Sequence, residues 1–298
     1  MADELAAWRE ALERVTRVLP GSIPYENVRP IRVQEVYDGF TLRNFLAARF
    51  PFLDVNEWNG LVERGLLRIK DRSLAWNDVV AAGDRVLHVD PEHTEPDVDA
   101  AIEFLHIEDD FLVLVKPAPL PVHPSGKYCR HTVTGLLELA KPDESFHVVH
   151  RLDGFTTGVL ILGRSAKGAR GLTQQFEAGE VKKTYLARVT GHNERDGFRC
   201  DEALSPATGP RGARSIDPNG KPASTLVRVL ERFDDGTSIV EAKPLTGRTH
   251  QIRLHLAHAG LPIIGDALYG DAELGDPLKL HALAIELRHP KTGATMGF

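Results

Sequence analysis

From about residue 103 the chain is a succession of short apolar runs broken by glycine and proline, and this texture constrains its fold more than any other feature. DFLVLVK (110–116), TGVLILG (157–163), VKKTYLARVTG (181–191) and LHALAIELRHP (280–290) are rich in β-branched and aromatic residues and bounded by turn formers. STLVRVLERFDDGTSIVEAKPLTG (224–247) reads as a hairpin about Asp235-Gly236. Helices are isolated among them. They are HTVTGLLELAK (131–141), SAKGARGLTQQFEAGE (165–180) with Ser165 as N-cap, and RTHQIRLHLAHAG (248–260) ending at Gly260. Strands that adjoin as hairpins, with helices set between them, specify an α+β domain: a mostly antiparallel mixed sheet with flanking helices and a central active-site cleft.

The first hundred residues have another texture. FTLRNFLAARFP (40–51) carries apolar residues at helical spacing behind Thr41, a natural cap. EWNGLVERGLLRIKD makes a second short helix, and AGDRVLHV a turn and strand. VDPEHTEPDVDAAI (89–102) is acidic, holds two prolines and lacks periodicity. The expected organisation is an N-terminal helical extension over 1–32, a small helix-and-hairpin module over 33–89, an acidic linker over 90–100 and the main domain over 101–298.

Charge follows this division. The formal net charge is −6. The first hundred residues hold 12 basic and 18 acidic side chains, and the remainder 24 of each. A basic surface, if present, belongs to the main domain, where GRSAKGAR, KKTYLAR and GRTHQIR concentrate cations. No apolar run approaches the ~18 residues a membrane helix needs, and the start lacks the basic and apolar regions of a signal peptide, so a cytoplasmic protein without membrane contact is expected. The two cysteines, Cys129 and Cys200, form no CxxC pair. The histidines show no HExxH and no zinc spacing, so no metal is expected.

VVHRLDGFTTGVLILGRS (148–165) sets Asp153 at a glycine-bracketed turn between two apolar strands, two residues after Arg151. A carboxylate there can be a nucleophile, a general base, a metal ligand or a turn cap bonded to amides near Thr156. Tyr185 lies on the strand KKTYLARV. Arg248, His250, Gln251 and Arg253 crowd a helix start that could receive a phosphate. A glycoside hydrolase would need a second carboxylate about 5–9 Å from Asp153, and none stands out in these blocks.

Taken in order, KPAPLPVHPSG, HRLDGFTTGVLILGRS, KKTYLARVTG, GRTHQIRLHLAHAGLPIIGDALYG and LHALAIELRHP resemble the RluA-type pseudouridine synthases from about residue 100 onward. The segment 33–89 resembles, less closely, the ribosomal-protein-like RNA-binding module often fused to them. The family continues for a further strand and tail beyond the point where HPKTGATMGF ends here. The resemblance implies isomerisation of uridine to pseudouridine in structured ribosomal or transfer RNA, on an extruded base, with no cofactor, by a monomer. It puts Asp153 on the catalytic aspartate, Tyr185 on the tyrosine that stacks on the target base, Arg253 on the arginine that pairs with the aspartate, and Arg151 on the side chain that enters the space the base vacates. An RNA contact strip of Arg151, Arg164, Lys167, Arg170, Lys182, Lys183 and Arg248 is expected. The competing reading is an RNA-binding protein that keeps the fold without the chemistry.

Overall fold

The computed structural model describes residues 2–51, 53–206, 212–273 and 275–298. The chain divides into two compact units, one made of residues 1–20 and 95–298, the other of residues 21–94.

The larger unit is built on a ten-stranded sheet. Its strands are β5 (Glu103–Ile107), β6 (Phe111–Lys116), β7 (His147–Val148), β8 (Thr157–Gly163), β9 (Lys182–Thr190), β10 (Gly197–Cys200), β11 (Thr225–Arg232), β12 (Thr237–Pro244), β13 (Leu280–Arg288) and β14 (Thr295–Gly297). The main order is β10-β11-β12-β9-β13-β8-β6-β5, with β7 paired to β8 and β14 to β13. Among the described residues β8 and β13 pair in parallel and the other pairs are antiparallel. The expected mostly antiparallel, mixed α+β architecture is therefore what forms.

The continuous apolar runs of β6 and β8 follow from burial on both faces. Leu112, Leu114, Leu160 and Leu162 pack under α4 (Val133–Ala140) and α1 (Ala2–Thr16). The alternate residues Phe111, Val113, Val159 and Ile161 pack against α5 (Ala166–Glu177). A third cluster, including Ala187, Val227, Val240 and Ala242, lies beneath α6 (Gln251–His258) through Ile252 and Leu256. The β8–β13 contact is close. Gly158 has φ +113°, and a Cβ there would penetrate the backbone of Ala282, so only glycine lets these strands meet.

The expected divisions at 32/33 and 89/90 both move. α1 is no appended extension: Trp8 and Leu12 are buried with Phe104 and Phe146 in the large unit. Strand β1 (Tyr25–Arg32) pairs with β4 (Arg85–His93), so residues 25–32 belong to the small unit, and the supposed linker is strand as far as His93. Acidic, proline-containing sequence hid the end of that strand, residues 90–93, which pairs with the start of β1. The small unit completes a four-stranded sheet, β1-β4-β2-β3, with β2 at Leu67–Ile69 and β3 at Arg72–Ser73. Its core gathers Leu42, Phe45 and Leu46 of α2 (Leu42–Arg49) with Trp58, Leu67 and Val86. Thr41 caps α2 by accepting the Asn44 amide, as its position in the sequence implies.

Candidate active site

The turn between β7 and β8 carries Asp153, whose backbone carbonyl accepts the Thr156 amide at 3.0 Å. That closes the turn through the main chain and leaves the carboxylate outside it. A partly buried histidine and a buried lysine hold the turn in place. His150 accepts the Ile161 amide at Nε2 (3.0 Å) and stacks on Phe176; burial, with help from the Lys183 charge, drives its pKa down to about 3, so the ring is neutral. Lys116, at the end of β6, is fully buried and donates to the carbonyls of Pro117, Leu120 and Gly154. Burial lowers its pKa to about 7 against the opposing pull of Asp153 and Asp99. The ammonium thus ties the proline-rich loop after β6 to the residue that follows Asp153.

Arg253, on α6, reaches this carboxylate: Nη1 donates to Asp153 Oδ2 at 3.2 Å. The rest of its guanidinium is committed to Asp266, through Nε (2.8 Å) and Nη2 (2.7 Å). Asp266 also accepts the amides of Leu268 and Tyr269. Burial opposes the charge on each partner, yet the pairing outweighs it: the Arg253 pKa is raised and the Asp266 pKa lowered. A planar fork held on one edge by a buried carboxylate presents its remaining N–H groups in a fixed direction. His250 stands beside this pair, with Nε2 3.9 Å from Asp153 Oδ2 and Nδ1 2.9 Å from the Tyr269 hydroxyl.

Tyr185, on β9 between Ala242 of β12 and Ala282 of β13, is partly buried between two core clusters. Burial, then the nearby Asp153 charge, raises its pKa, so the phenol keeps its proton. Lys183 lies two residues earlier on the same strand face, and its Nζ approaches the Thr246 carbonyl at 3.4 Å. Burial lowers the pKa of Lys183.

The signal for Asp266, Tyr269 and His250 was present in GDALYG and GRTHQIR, but composition does not reveal which acid meets which base. Asp266 is the second carboxylate that sequence reasoning did not find. Its oxygens are occupied by Arg253 and two amides, an arrangement suited to orienting the guanidinium. Among ligand-type clusters in this unit, Cys200, Glu202 and His255 gather atoms within 4.8 Å. Both ring nitrogens of His255 are already hydrogen-bonded, to Thr225 Oγ1 and the Glu202 carbonyl, so the ring offers no free lone pair to an ion without breaking one of them.

Comparison with known proteins identifies the family. The family model described as RNA pseudouridylate synthase matches residues 110–258, which span the carboxylate, the tyrosine and the arginine. The chain belongs to that family. It is 33% identical over 280 residues to ribosomal large subunit pseudouridine synthase C of Yersinia pestis, covering 87% of each chain. It is 34% identical over 219 residues to the mitochondrial tRNA pseudouridine(32) synthase of Saccharomyces cerevisiae, covering 72% of this chain and 46% of the yeast protein. The structure of human RNA pseudouridylate synthase domain containing 1 superposes with a TM-score of 0.56 at 27% identity, over 66% of this chain and 82% of the human one. The protein is thus a pseudouridine synthase, an isomerase.

The cations expected to meet RNA are not equivalent in this synthase. Arg151 is exposed, with Nη1 3.5 Å from His123 of the proline-rich loop. Lys167 and Arg170 are exposed on α5. Arg248 is exposed and donates through Nε to the Pro222 carbonyl. Lys182 is ion-paired to Glu286. Arg164 is withdrawn: it pairs with Glu144 and Glu4, donates to the Glu108 carbonyl and lies over the Trp8 ring. Its surroundings are those of a clamp for α1. A cavity of about 420 Å³ is lined by Phe155, Thr157, Leu186 and His281 but not by Asp153.

Proposed function

We propose that Asp153 is the catalytic carboxylate of a uridine-to-pseudouridine isomerisation in structured RNA, acting on an extruded nucleotide. The observation that carries the reading is the direct Arg253–Asp153 contact, with the guanidinium anchored from behind by Asp266. The reaction breaks N1–C1′, rotates the base and joins C5 to C1′, and a proton leaves C5 while one reaches N1. Atoms balance within the nucleotide, so no redox partner or donated group is called for. A glycosidic bond inside a stack is out of reach of a turn carboxylate, hence the need for extrusion. In this reading Tyr185, a protonated phenol beside the carboxylate, stacks on the base, and Arg151 fills the space it leaves.

The relatives named above act on ribosomal and on transfer RNA, and both classes are candidate substrates. The small unit is assigned an accessory RNA contact, and the working form is a cytoplasmic monomer. A fold-retaining RNA binder without activity would have no use for a buried Asp266–Arg253–Asp153 array, which is costly to desolvate. The test is incubation of the full chain with ribosomal and transfer RNA transcripts, then nucleoside analysis. RNA mass should stay constant while uridine is converted to its carbon-linked isomer. Unchanged uridine in both RNA classes would defeat the proposal.

A further inference from the structure

His250 has φ +58° and ψ +14°, a left-handed conformation. Among the described residues it shares a positive φ with one other non-glycine, Lys70 of the small unit. Such a conformation costs of order 1 kcal/mol for a side chain of this kind and tends to persist where surroundings enforce it. Here it turns the imidazole away from the axis of α6 and into the space beside Asp153, where the ring is almost fully buried.

The ring's proton can be located from its neighbours. The Tyr269 hydroxyl accepts the Arg214 amide at 2.9 Å and lies 2.9 Å from His250 Nδ1. Burial raises the Tyr269 pKa, so the phenol has a proton to give, and Nδ1 is the acceptor beside it. An imidazole that accepts at Nδ1 carries its own proton at Nε2. The groups facing the ring are Asp153, Arg253, Asp266 and Arg214; burial outweighs the attraction of the two carboxylates and the His250 pKa is lowered. A neutral ring therefore points Nε2–H at a carboxylate oxygen 3.9 Å away, too far for a direct hydrogen bond. An oxygen placed about 2.8 Å from both atoms would bridge them, and it must accept from the imidazole while donating to the carboxylate. A hydroxyl does both, as a water does; a carbonyl or an ionised phosphate oxygen does not.

We propose that His250 is a substrate-contacting donor, fixed by Tyr269 as the Nε2–H tautomer, which with Asp153 grips a ribose hydroxyl of the bound nucleotide. The role is hydrogen bonding and not proton carriage. It rests on the proposed function for the identity of the substrate, whereas the tautomer is a property of the free enzyme.

Two measurements on the full chain test it. In ¹⁵N-histidine-labelled protein at neutral pH without RNA, the ring signals lost in His250→Gln should identify a neutral imidazole with Nδ1 unprotonated, and Tyr269→Phe should release it into a tautomer mixture. A charged ring or an Nδ1–H tautomer would overturn the proposal whatever the enzyme's activity. Turnover of RNA is measured in parallel. His250→Asn tolerates the left-handed backbone but places no donor at the Nε2 position, and should lower kcat by on the order of 100-fold, the usual loss for one active-site donor. His250→Gln restores an N–H at that reach and should recover the larger part, with the pH profile unmoved. Equal failure of both variants despite normal folding and RNA binding, or an unimpaired His250→Asn, would refute the donor role. An inactive wild type with the expected tautomer would instead count against the proposed function alone.

Discussion

Arg253 and Asp153, one hundred positions apart in the chain, meet at 3.2 Å because α6 and the β7–β8 turn are carried to the same place by one sheet. The arginine is held by Asp266 as well as by Asp153, so its direction is set independently of Asp153.

Asp153→Asn keeps the shape of the turn and removes the charge. Arg253 retains both bonds to Asp266, so the thermal midpoint should stay within a few degrees of wild type while conversion of uridine stops. Residual activity within tenfold of wild type, a barrier change of only ~1.4 kcal/mol, would exclude the carboxylate from the chemistry.

Asp266→Ala should both destabilise the fold and lower kcat. It leaves the buried guanidinium short of a partner, which typically costs about 3–5 kcal/mol, and frees the direction of Arg253. The sign of the pH effect follows from the lowered Asp266 pKa. Its stabilisation is present above the ordinary aspartate value of about 4 and disappears as pH falls through the lower folded value. Acid unfolding of wild type and Asp266→Asn, followed by circular dichroism, should therefore converge below pH 4; equal stability at pH 7 would show the pair to be dispensable.

Lys116 predicts a slope of the same sign in a higher pH window. Its folded pKa of about 7 lies below the usual lysine value, so between the two the unfolded chain binds more protons than the native one. Stability should rise with pH across that window by up to about 1.4 kcal/mol per unit for a full proton difference. Lys116→Met should abolish that component in urea titrations at pH 6.5, 8 and 9.5. It should also reduce activity through the loosened Gly154 carbonyl. A slope unchanged by the substitution would mean that the ammonium is not the group responsible.

Trp8→Ala tests whether α1 belongs to the catalytic unit. Trp8 is 2% exposed and contacts Phe104 and Phe146, and removal of a buried tryptophan costs about 3–5 kcal/mol. The main unfolding transition should drop by roughly 10 °C, at 2–4 °C per kcal/mol for a unit of this size. A chain starting near residue 100 should fold poorly for the same reason.

RNA affinity should fall with salt at a log–log slope of roughly −3 to −4 if four to six cations meet phosphates of a single strand. Replacing Lys183 and Arg248 by alanine should reduce the slope by about 1.4 on the same basis. Arg164→Ala should leave the slope alone and lower the melting temperature, since its charge is consumed by Glu144 and Glu4. An Arg164 variant with a reduced slope and normal stability would return it to the RNA surface.

The sequence by itself determined the central strands of the large unit, because double burial of β6 and β8 demands unbroken apolar runs and turn chemistry bounds them. It also determined the Thr41 and Ser165 caps, whose side chains bond within three residues, and the identity of Asp153, Tyr185 and Arg253 as members of ordered blocks. Tertiary structure decided what those local rules cannot reach. The withdrawal of Arg164 depends on Glu4, Trp8 and Glu144, which lie in separate elements. The pairing of Asp266 with Arg253, the hydrogen bond between Tyr269 and His250 and the burial of Lys116 depend on which loops converge once the sheet has formed. Asp266 and Arg164 look in the sequence like any exposed charge, for a charge read along the chain does not disclose its partner. Burial raises the cost of leaving a charge unpaired, and partner choice is settled only by the elements that bury it.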